Sequence, residues 1–399
     1  MARIATDILI SGGGVAGLTA AAAFGTAGYS VVLVEPNPPV TDVSDAGADL
    51  RTTAFLTPSV AVLQAAGLWD RLSPYASALQ IMRIIDAGGI ENTPRLTRDF
   101  NASEISDAPF GWNLPNWRLR REMVARLAEL PNVTFVQGQS CARMLTRETG
   151  AIVTLTDGNI YTARLAIAAD GRDSTLRAAA GISVKSTRYD QKALVFAVTH
   201  SQPHQNISTE IHRTGGPFTL VPLPDSNGQP CSSVVWMERR ETADRLAALH
   251  NSEFTAEMNT RSCGVLGDLT LASRRSLWPM MSQIAATMSA QRTALIAEAA
   301  HVVPPIGAQG LNMSLADIGA LLDLATPANL GDDAMLAAYH KARYPQIKTR
   351  VLGIDALNRA SMVTGQAGRD LRKTALETLY AIAPVRQTLM RQGLGLHSI

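Results

Sequence analysis

The glycine-rich stretch near the start of the chain constrains the fold most. Ile8 to Ser11 is an apolar run without a helical stripe, and it leads into Gly-x-Gly-x-x-Gly at Gly12, Gly14 and Gly17. A segment of small residues and a second apolar run, Val31 to Glu35, follow. Strand, glycine turn, helix and strand in this order predict a βαβ unit that binds a dinucleotide at the start of its helix.

Each glycine of this stretch has a different expected role. Gly12 permits the tight turn, Gly14 lets a pyrophosphate approach the helix N-terminus, and Gly17 lets the helix lie close on the sheet. Glu35 stands 18 residues after Gly17, where a carboxylate would accept the ribose hydroxyls of an adenosine. The stretch therefore indicates a cofactor that contains ADP. The residues expected to contact it here are Gly12, Gly14, Val15, Ala16, Gly17 and Glu35.

Length and composition predict a large globular protein. With 399 residues, 46% hydrophobic and 18% charged, the chain can bury a core that is divided between two or more lobes. No run reaches the roughly 18 apolar residues of a membrane span, and the N-terminus already belongs to the first strand. The three widely spaced cysteines favour a reducing compartment and indicate neither a disulfide framework nor a metal site. We therefore expect a cytoplasmic protein.

Short alternating runs predict a second lobe built on a mostly antiparallel sheet. They are Ile81 to Asp86, Ala193 to Thr199, Phe218 to Pro222 and Ser232 to Met237. The expected fold class is α/β with mixed α+β character: a Rossmann-like domain, a sheet lobe for the substrate and a helical C-terminal segment. The expected division assigns 1–75, 102–185 and 276–330 to the first domain, 76–101 and 186–275 to the sheet lobe, and 331–399 to the helical segment.

Two further motifs follow predicted strands. Asp170-Gly171 ends a buried run and precedes a helix, although by itself it is equally well explained as a turn. Glu298 stands at a strand end before Pro304-Pro305 and a Gly-x-x-Gly loop that opens a helix, Leu311 to Leu324. A flavin suits this loop, because its amides and the positive helix end would stabilise negative charge on the isoalloxazine. The alternatives are a surface acid at Glu298 and a packed histidine at His301.

The three motifs occur in the order and rough spacing seen in the single-component flavin aromatic hydroxylases, and the chain resembles that family, which is related to para-hydroxybenzoate hydroxylase. The segment Pro304 to Asn312 is most similar to the ubiquinone-biosynthesis branch, the 2-polyprenylphenol hydroxylases. Phe110 to Asn113 and Ala383 to Gly393 resemble the same branch, especially its 2-octaprenyl-6-methoxyphenol hydroxylases. One departure concerns Ala297-Glu298, where the family usually has Gly-Asp.

The resemblance implies FAD as cofactor, NAD(P)H as transient reductant and O₂ as co-substrate. In this family oxygen adds at flavin C4a and is delivered to a ring position ortho or para to a phenol hydroxyl. The implied substrate is a polyprenylated phenol. By position, the resemblance implies cofactor contacts from the following residues: Arg51, Asn116, Arg120, Asp170, Glu298, Pro305, Gly307, Ala308, Gly310, Leu311 and Asn312. For Arg51, a surface ion pair with Asp49 is the competing interpretation.

Several points stay open at this level. The sequence identifies no base for the phenol proton, and His212, Tyr161 and His301 are the candidates. A plain NAD(P)-dependent dehydrogenase, a flavin halogenase and a flavin-binding but non-hydroxylating subunit of a quinone-synthesis complex are the rival functions.

The charge distribution is uneven. From His340 onward there are ten Lys and Arg but three Asp and Glu, a net charge of +7, whereas the whole chain carries +2. This excess is typical of a solvated helical face. It would also suit peripheral contact with the inner membrane, or docking to other quinone-synthesis proteins. No nucleic-acid partner is expected.

Overall fold

The computed structural model of the protein describes residues 3–395. The strands of this part of the chain are β1 (Arg3–Ser11), β2 (Val31–Glu35), β3 (Thr52–Leu56), β4 (Ser77–Leu79), β5 (Ile81–Asp86), β6 (Leu96–Asn101), β7 (Gly111–Pro115), β8 (Val133–Gln137), β9 (Cys141–Arg147), β10 (Gly150–Leu155), β11 (Ile160–Ala168), β12 (Val184–His200), β13 (Ile207–His212), β14 (Pro217–Ser226), β15 (Gln229–Arg239), β16 (Leu269–Leu271), β17 (Ser276–Ala285), β18 (Ser289–Ala290), β19 (Thr293–Leu295) and β20 (His301–Val302).

The helices of the same part are α1 (Val15–Thr26), α2 (Thr57–Ala65), α3 (Trp69–Leu72), α4 (Asn116–Ala128), α5 (Thr175–Ala179), α6 (Arg240–Ala248), α7 (Asn251–Ser262), α8 (Gln309–Leu324), α9 (Asp333–Ser361), α10 (Gln366–Ala381) and α11 (Ala383–Leu394). Short 3₁₀ turns join some of them, among them Ala297–Ala299 before β20.

The first sheet is the predicted dinucleotide-binding unit, and the predicted fold class is confirmed. Its strand order is β18-β19-β11-β1-β2-β8, with the β9–β10 hairpin attached to β11. β1 runs parallel to both β2 and β11. Ile8, Leu9 and Ile10 of this central strand are fully buried. The sheet's apolar residues and the small side chains of α1 form the larger core of the molecule.

The second sheet is mostly antiparallel, as predicted, in the order β20-β17-β12-β15-β14-β13-β5-β6. Because side chains alternate between the faces of a strand, each face has its own core. Leu194, Phe218 and Trp236 on one face pack against α6 and α7. Ala193, Val195, Met237 and Met280 lie on the opposite face, and Ile306 of the Pro-Pro loop packs against them. We call this opposite face, which looks toward the first lobe, the inner face.

A small third sheet, β3-β7-β4, lies between the two lobes. The hydroxyl of Thr52 donates to the Ser233 hydroxyl at 3.0 Å, and the Asn113 amide donates to the carbonyl of Pro222 at 2.9 Å. Both contacts reach the second sheet, so the third sheet connects the lobes.

Two expected boundaries differ from the structure. Residues 276–330 were assigned wholly to the first domain, but β17 pairs with β12 in the second sheet. The segment 331–399 was assigned to a separate helical region, but the first half of α9 belongs to the core of the first lobe. Tyr339 of α9 is fully buried there and donates to the carbonyl of Leu295 at 2.8 Å. Residues 396–399 of that segment lie outside the described residues.

The C-terminal helices tie the lobes together through ion pairs. Arg372 of α10 binds the buried carboxylate of Asp86 on β5 at 3.2 Å. Arg386 of α11 binds Glu104 at 2.8 Å. Among residues 3–395, no helix combines the length and apolar character required to cross a bilayer.

Candidate active site

The three sequence motifs lie together at one edge of the first sheet. Ser11 at the end of β1 is beside Val34 of β2 and Ala168 of β11, and Ala168 is beside Leu295 of β19. These four strands are parallel, so the loops that follow them emerge at the same edge, where α/β proteins bind their ligands. The glycine motif, Glu35, Asp170 and Glu298 therefore converge on one region, as the sequence predicts.

The glycine turn has the geometry that a phosphate requires. Gly12 has φ of +107°, and a Cβ there would lie 2.3 Å from the carbonyl oxygen of Ala169. A Cβ on Gly17 would lie 1.8 Å from the carbonyl oxygen of Gly12, so only glycine permits α1 to approach this closely. At Gly14, by contrast, a Cβ would meet no atom within 4 Å. Since no side chain caps α1, its first amides are left for an anion.

Glu35 is held at the end of β2 by two backbone amides. Its Oε2 accepts from the amide of Gly13 at 2.5 Å, and its Oε1 accepts from the amide of Asn37 at 3.0 Å. These bonds fix the carboxylate beside the glycine turn, and each oxygen keeps a lone pair for a ribose hydroxyl. The ADP part of FAD thus fits the residues present.

Arg51, Asn116 and Arg120 converge on one carboxylate, that of Asp49, and together they form the Asp49 cluster. Arg51 donates twice to Asp49, at 2.9 and 2.7 Å, which is the pairing considered as the alternative in the sequence. Asn116 donates at 3.1 Å and Arg120 at 3.3 Å. The Arg51 guanidinium also stacks on Trp278 of the inner face, 4.2 Å from the ring centre. The cluster sits between the lobes, and a contact from it to the pyrophosphate stays a prediction.

Burial raises the pKa of Asp49, but its hydrogen bonds and the charges of Arg51 and Arg120 outweigh burial and lower that pKa overall. A lowered carboxyl pKa stabilises the fold above the unfolded pKa and loses this effect as pH falls through the folded pKa.

Asp170 and Glu298 have partners within the protein. Asp170 accepts from the hydroxyl of Ser174 and from the amides of Thr175 and Leu176, so it caps the start of α5. Glu298 is 48% exposed and pairs with Arg172 at 3.1 Å. This pair links the second motif to the third. Cofactor contacts of Asp170 and Glu298 stay predictions.

The loop before α8 is shaped by two left-handed residues, Gly307 at φ +61° and Ala308 at φ +56°. The helix begins at Gln309, two residues earlier than the predicted Leu311. Its N-terminus has neither a side-chain cap nor an acidic residue in the first turn, so the positive end is left for a ligand. Pro305 is exposed, and Gly310 and Leu311 are half-buried. The contact of this loop with a flavin stays a prediction.

Asn312 holds this loop rather than offering a free side chain. Its Oδ1 accepts from the Leu56 amide at 2.8 Å and the Ser59 hydroxyl at 2.7 Å. Its Nδ2 donates to the carbonyls of Ala54 at 2.7 Å and Ala308 at 2.6 Å. With its amide fully used, Asn312 fixes α8 to β3 and would position the loop for the flavin.

The sequence did not single out Gln309 or Asp317, which also fix the loop. Gln309 donates to the carbonyls of Gly307 at 2.8 Å and Gly393 at 2.9 Å. Asp317 is fully buried and accepts from Arg343 at 2.8 Å. The local sequence does not point to these contacts, because Gly393 is 84 residues from Gln309 and Arg343 is 26 residues from Asp317.

Two of the three candidate bases are excluded by their positions. His301 has no exposed side-chain surface and lies 2.7 Å from Asp317, so it is the packed histidine of the alternative interpretation. The hydrogen-bond partner of its Nε2 is therefore this buried aspartate. Tyr161 lies near the start of β11, beside Ile4, at the opposite edge of the sheet from the motifs. His212 lies on β13 of the second sheet, with its Nε2 2.7 Å from Glu210.

We predict that Gly14→Val abolishes FAD binding but preserves the fold. The new side chain meets no protein atom near its Cβ and occupies the space in front of the α1 amides. FAD content from visible absorbance and the melting temperature of the FAD-free protein check this. Gly17→Ala is the contrasting variant, because its Cβ would strike Gly12 and should destabilise the fold itself. A yellow Gly14→Val protein would contradict the assignment.

We also predict that Asp49→Asn destabilises the FAD-free protein by about 1.5–3 kcal/mol at pH 7, the range for hydrogen bonds to charged groups. The deficit should shrink as pH falls below about 4, because the carboxylate of the unfolded wild-type chain then becomes protonated, and it should be smallest below the lowered pKa of the folded state. Thermal unfolding over a pH series measures it. Asp45→Asn, in the exposed part of the same loop, is the control. A deficit that is equal at every pH would show that the charge of Asp49 is irrelevant.

Comparison with known proteins gives the family. Residues 5–352 match the family model described as FAD binding domain. The chain is 31% identical to the ubiquinone hydroxylase UbiL of Rhodospirillum rubrum, over 98% of this chain and 89% of that protein. It is 27% identical to the 3-demethoxyubiquinol 3-hydroxylase of Escherichia coli, over 86% of this chain and 84% of that protein.

A solved structure confirms the fold. The probable FAD-dependent monooxygenase PqsL of Pseudomonas aeruginosa has a TM-score of 0.77 at 24% identity, over 92% of this chain and 99% of that one. The chain therefore belongs to the family of FAD-binding monooxygenases that includes the ubiquinone hydroxylases.

Proposed function

We propose that the protein hydroxylates a polyprenylated phenol in ubiquinone biosynthesis, with bound FAD, NAD(P)H and O₂. The observation that carries the proposal is the apolar wall of the inner face, where Val195, Met237 and Met280 pack around Ile306 of the flavin loop. A phenol ring placed on this wall beside Ile306 would meet apolar surface on one side and the cofactor on the other. The similarity to ubiquinone hydroxylases over nearly the whole chain supports the choice of substrate.

In this proposal FAD, once reduced by NAD(P)H, supplies the activated oxygen. The chain's own share is binding, orientation and exclusion of water. The glycine turn and Glu35 hold the ADP part. The amides at the start of α8 face the ring system and favour its negative charge. The apolar wall keeps water from the reacting position.

Two rivals predict different results with the purified protein. A hydroxylase of another small aromatic compound would oxidise NAD(P)H and form product with that compound but not with a prenylated phenol. A non-catalytic FAD-binding subunit would be yellow, yet no phenol would stimulate its NAD(P)H oxidation. The test is product formation from a short-chain 2-prenylphenol, together with mass spectrometry of the quinone precursor that accumulates when the gene is deleted. Absence of both results would overturn the proposal.

Glu298 is proposed to bind FAD despite its pairing with Arg172. We predict that Glu298→Ala lowers FAD affinity by about one to two decades, since a charge-assisted hydrogen bond contributes about 1.5–3 kcal/mol. Because the side chain is 48% exposed, the fold should be unaffected. Glu241→Ala, at an exposed position of α6, is the control. Titration of the FAD-free proteins with FAD measures the difference, and equal affinities would make Glu298 a surface acid.

We further propose peripheral binding to an anionic membrane through the outer face of α10 and α11. Leu371, Leu379, Ile382 and Leu389 are 70%, 46%, 49% and 43% exposed. Leu371 and Leu379 lie on one face of α10, and Ile382, directly after the helix, continues that face. No residue of α10 is fully buried. The basic excess of the C-terminal segment would add attraction to anionic lipid. A polyprenylated substrate would be collected from such a surface.

Arg372 and Arg386 form ion pairs inside the molecule and are not free to bind lipid, so the exposed leucines are the residues to change. We therefore predict that Leu371→Glu with Leu379→Glu prevents sedimentation with anionic vesicles at low salt. Wild type should sediment, and less at physiological ionic strength, where charges are screened over about 8 Å. Leu145→Glu, an exposed leucine of β9, is the control. If wild type never sediments, membrane binding is wrong and docking to a partner protein replaces it.

A further inference from the structure

The inner face of the second sheet carries an unused pair of titratable side chains. Ile211 of β13 packs on the helix-covered face, so its neighbours Glu210 and His212 point to the inner face. The register places Glu210 beside Thr219, Thr219 beside Val235, and Val235 beside Val195. Adjacent strands are about 4.8 Å apart, so Glu210 is about 10 Å along the sheet from Val235. The pair therefore continues the wall on which the substrate ring is proposed to lie.

The pair is largely withdrawn from solvent and is incompletely satisfied. His212 Nε2 lies 2.7 Å from Glu210 Oε1, with the two side chains 15% and 10% exposed. His212 Nδ1 is buried and has no hydrogen-bond partner within residues 3–395. A buried polar atom left without a partner costs free energy, so a rotation of the imidazole that brings Nδ1 to a polar group of a ligand would be favoured.

We propose that His212 is the general base that accepts the phenol proton, positioned by Glu210. With Nε2–H donating to Glu210, Nδ1 keeps its lone pair and can accept a proton. The phenol O–H bond breaks, a new N–H bond forms at Nδ1, and the electron pair stays on the phenolate oxygen. The carboxylate of Glu210 stabilises the imidazolium that results. The inference rests on the proposed function.

The charges near His212 from neighbouring elements are largely paired with each other. Asp86 is beside His212 on β5 and is bound by Arg95 at 2.6 Å and by Arg372 of α10 at 3.2 Å. Behind the sheet, Arg261 of α7 lies 3.9 Å from Glu238. Arg213 follows His212 in the chain, and its carbonyl accepts from Arg372. Arg98 of β6 lies on the same face as Glu210, because both are in register with Ile84 of β5. Glu210 is thus the acid in direct contact with the imidazole.

The test compares wild type with His212→Gln and Glu210→Gln, using a short-chain 2-prenylphenol as the probe. Without NAD(P)H, the difference spectrum of the bound phenol should show the phenolate band in wild type at a lower pH than in either variant. The rate of hydroxylation should fall by about 100-fold or more in His212→Gln, the usual contribution of a general base. A ring-fluorinated, more acidic phenol should recover part of this loss. His250→Gln, in the loop before α7, should match wild type.

The outcomes separate the inference from the proposed function. If wild type hydroxylates the probe and His212→Gln does so with the same pH profile and phenolate band, the inference is overturned. If wild type hydroxylates no prenylated phenol, the proposed function fails instead. Should His212→Gln not fold, Glu210→Gln decides, because it keeps the histidine: an unchanged phenolate band and pH profile there overturn the inference.

Discussion

The close approach of α1 to β1 is the contact on which the rest of the structure depends. The helix lies against the carbonyl of Gly12 at a distance that excludes even one methyl group at Gly17. Gly12 in turn lies against Ala169 at the end of β11. Because β1 is between β2 and β11, and β19 pairs with β11, these two contacts set the positions of the glycine turn, Glu35, Asp170 and Glu298 relative to one another. A looser helix would move the glycine turn relative to Glu35 and Asp170 together.

Features that depend on local pattern could be predicted from the sequence. The βαβ unit follows from its glycines and apolar runs, and β5, β12, β14 and β15 follow from their alternation. Membership in a sheet is a different matter: the place of β17 is set by the long strand β12, whose register shifts between Arg188 and Lys192. Nothing within Ser276–Ala285 specifies that partner.

The candidate site shows the same division. The glycine turn and Glu35 need only their neighbours in the chain, and both were predicted. Arg51 could be seen to stand near Asp49, but the strength of that pairing depends on Asn116, which is 67 residues from Asp49. The sequence also overstates the free positive charge of the C-terminal helices. Arg343 is buried and forms an ion pair with Asp317. Arg372 and Arg386 form ion pairs with Asp86 and Glu104.

The bond from Gln309 to the carbonyl of Gly393 joins the start of α8 to α11, 84 residues further along the chain. The glycine turn has no partner of this kind, because its close contacts come from Ala169 and Glu35. A change that displaces α11 would therefore reach the loop before α8 and leave the glycine turn in place. The two ends of the proposed binding site can thus be perturbed separately.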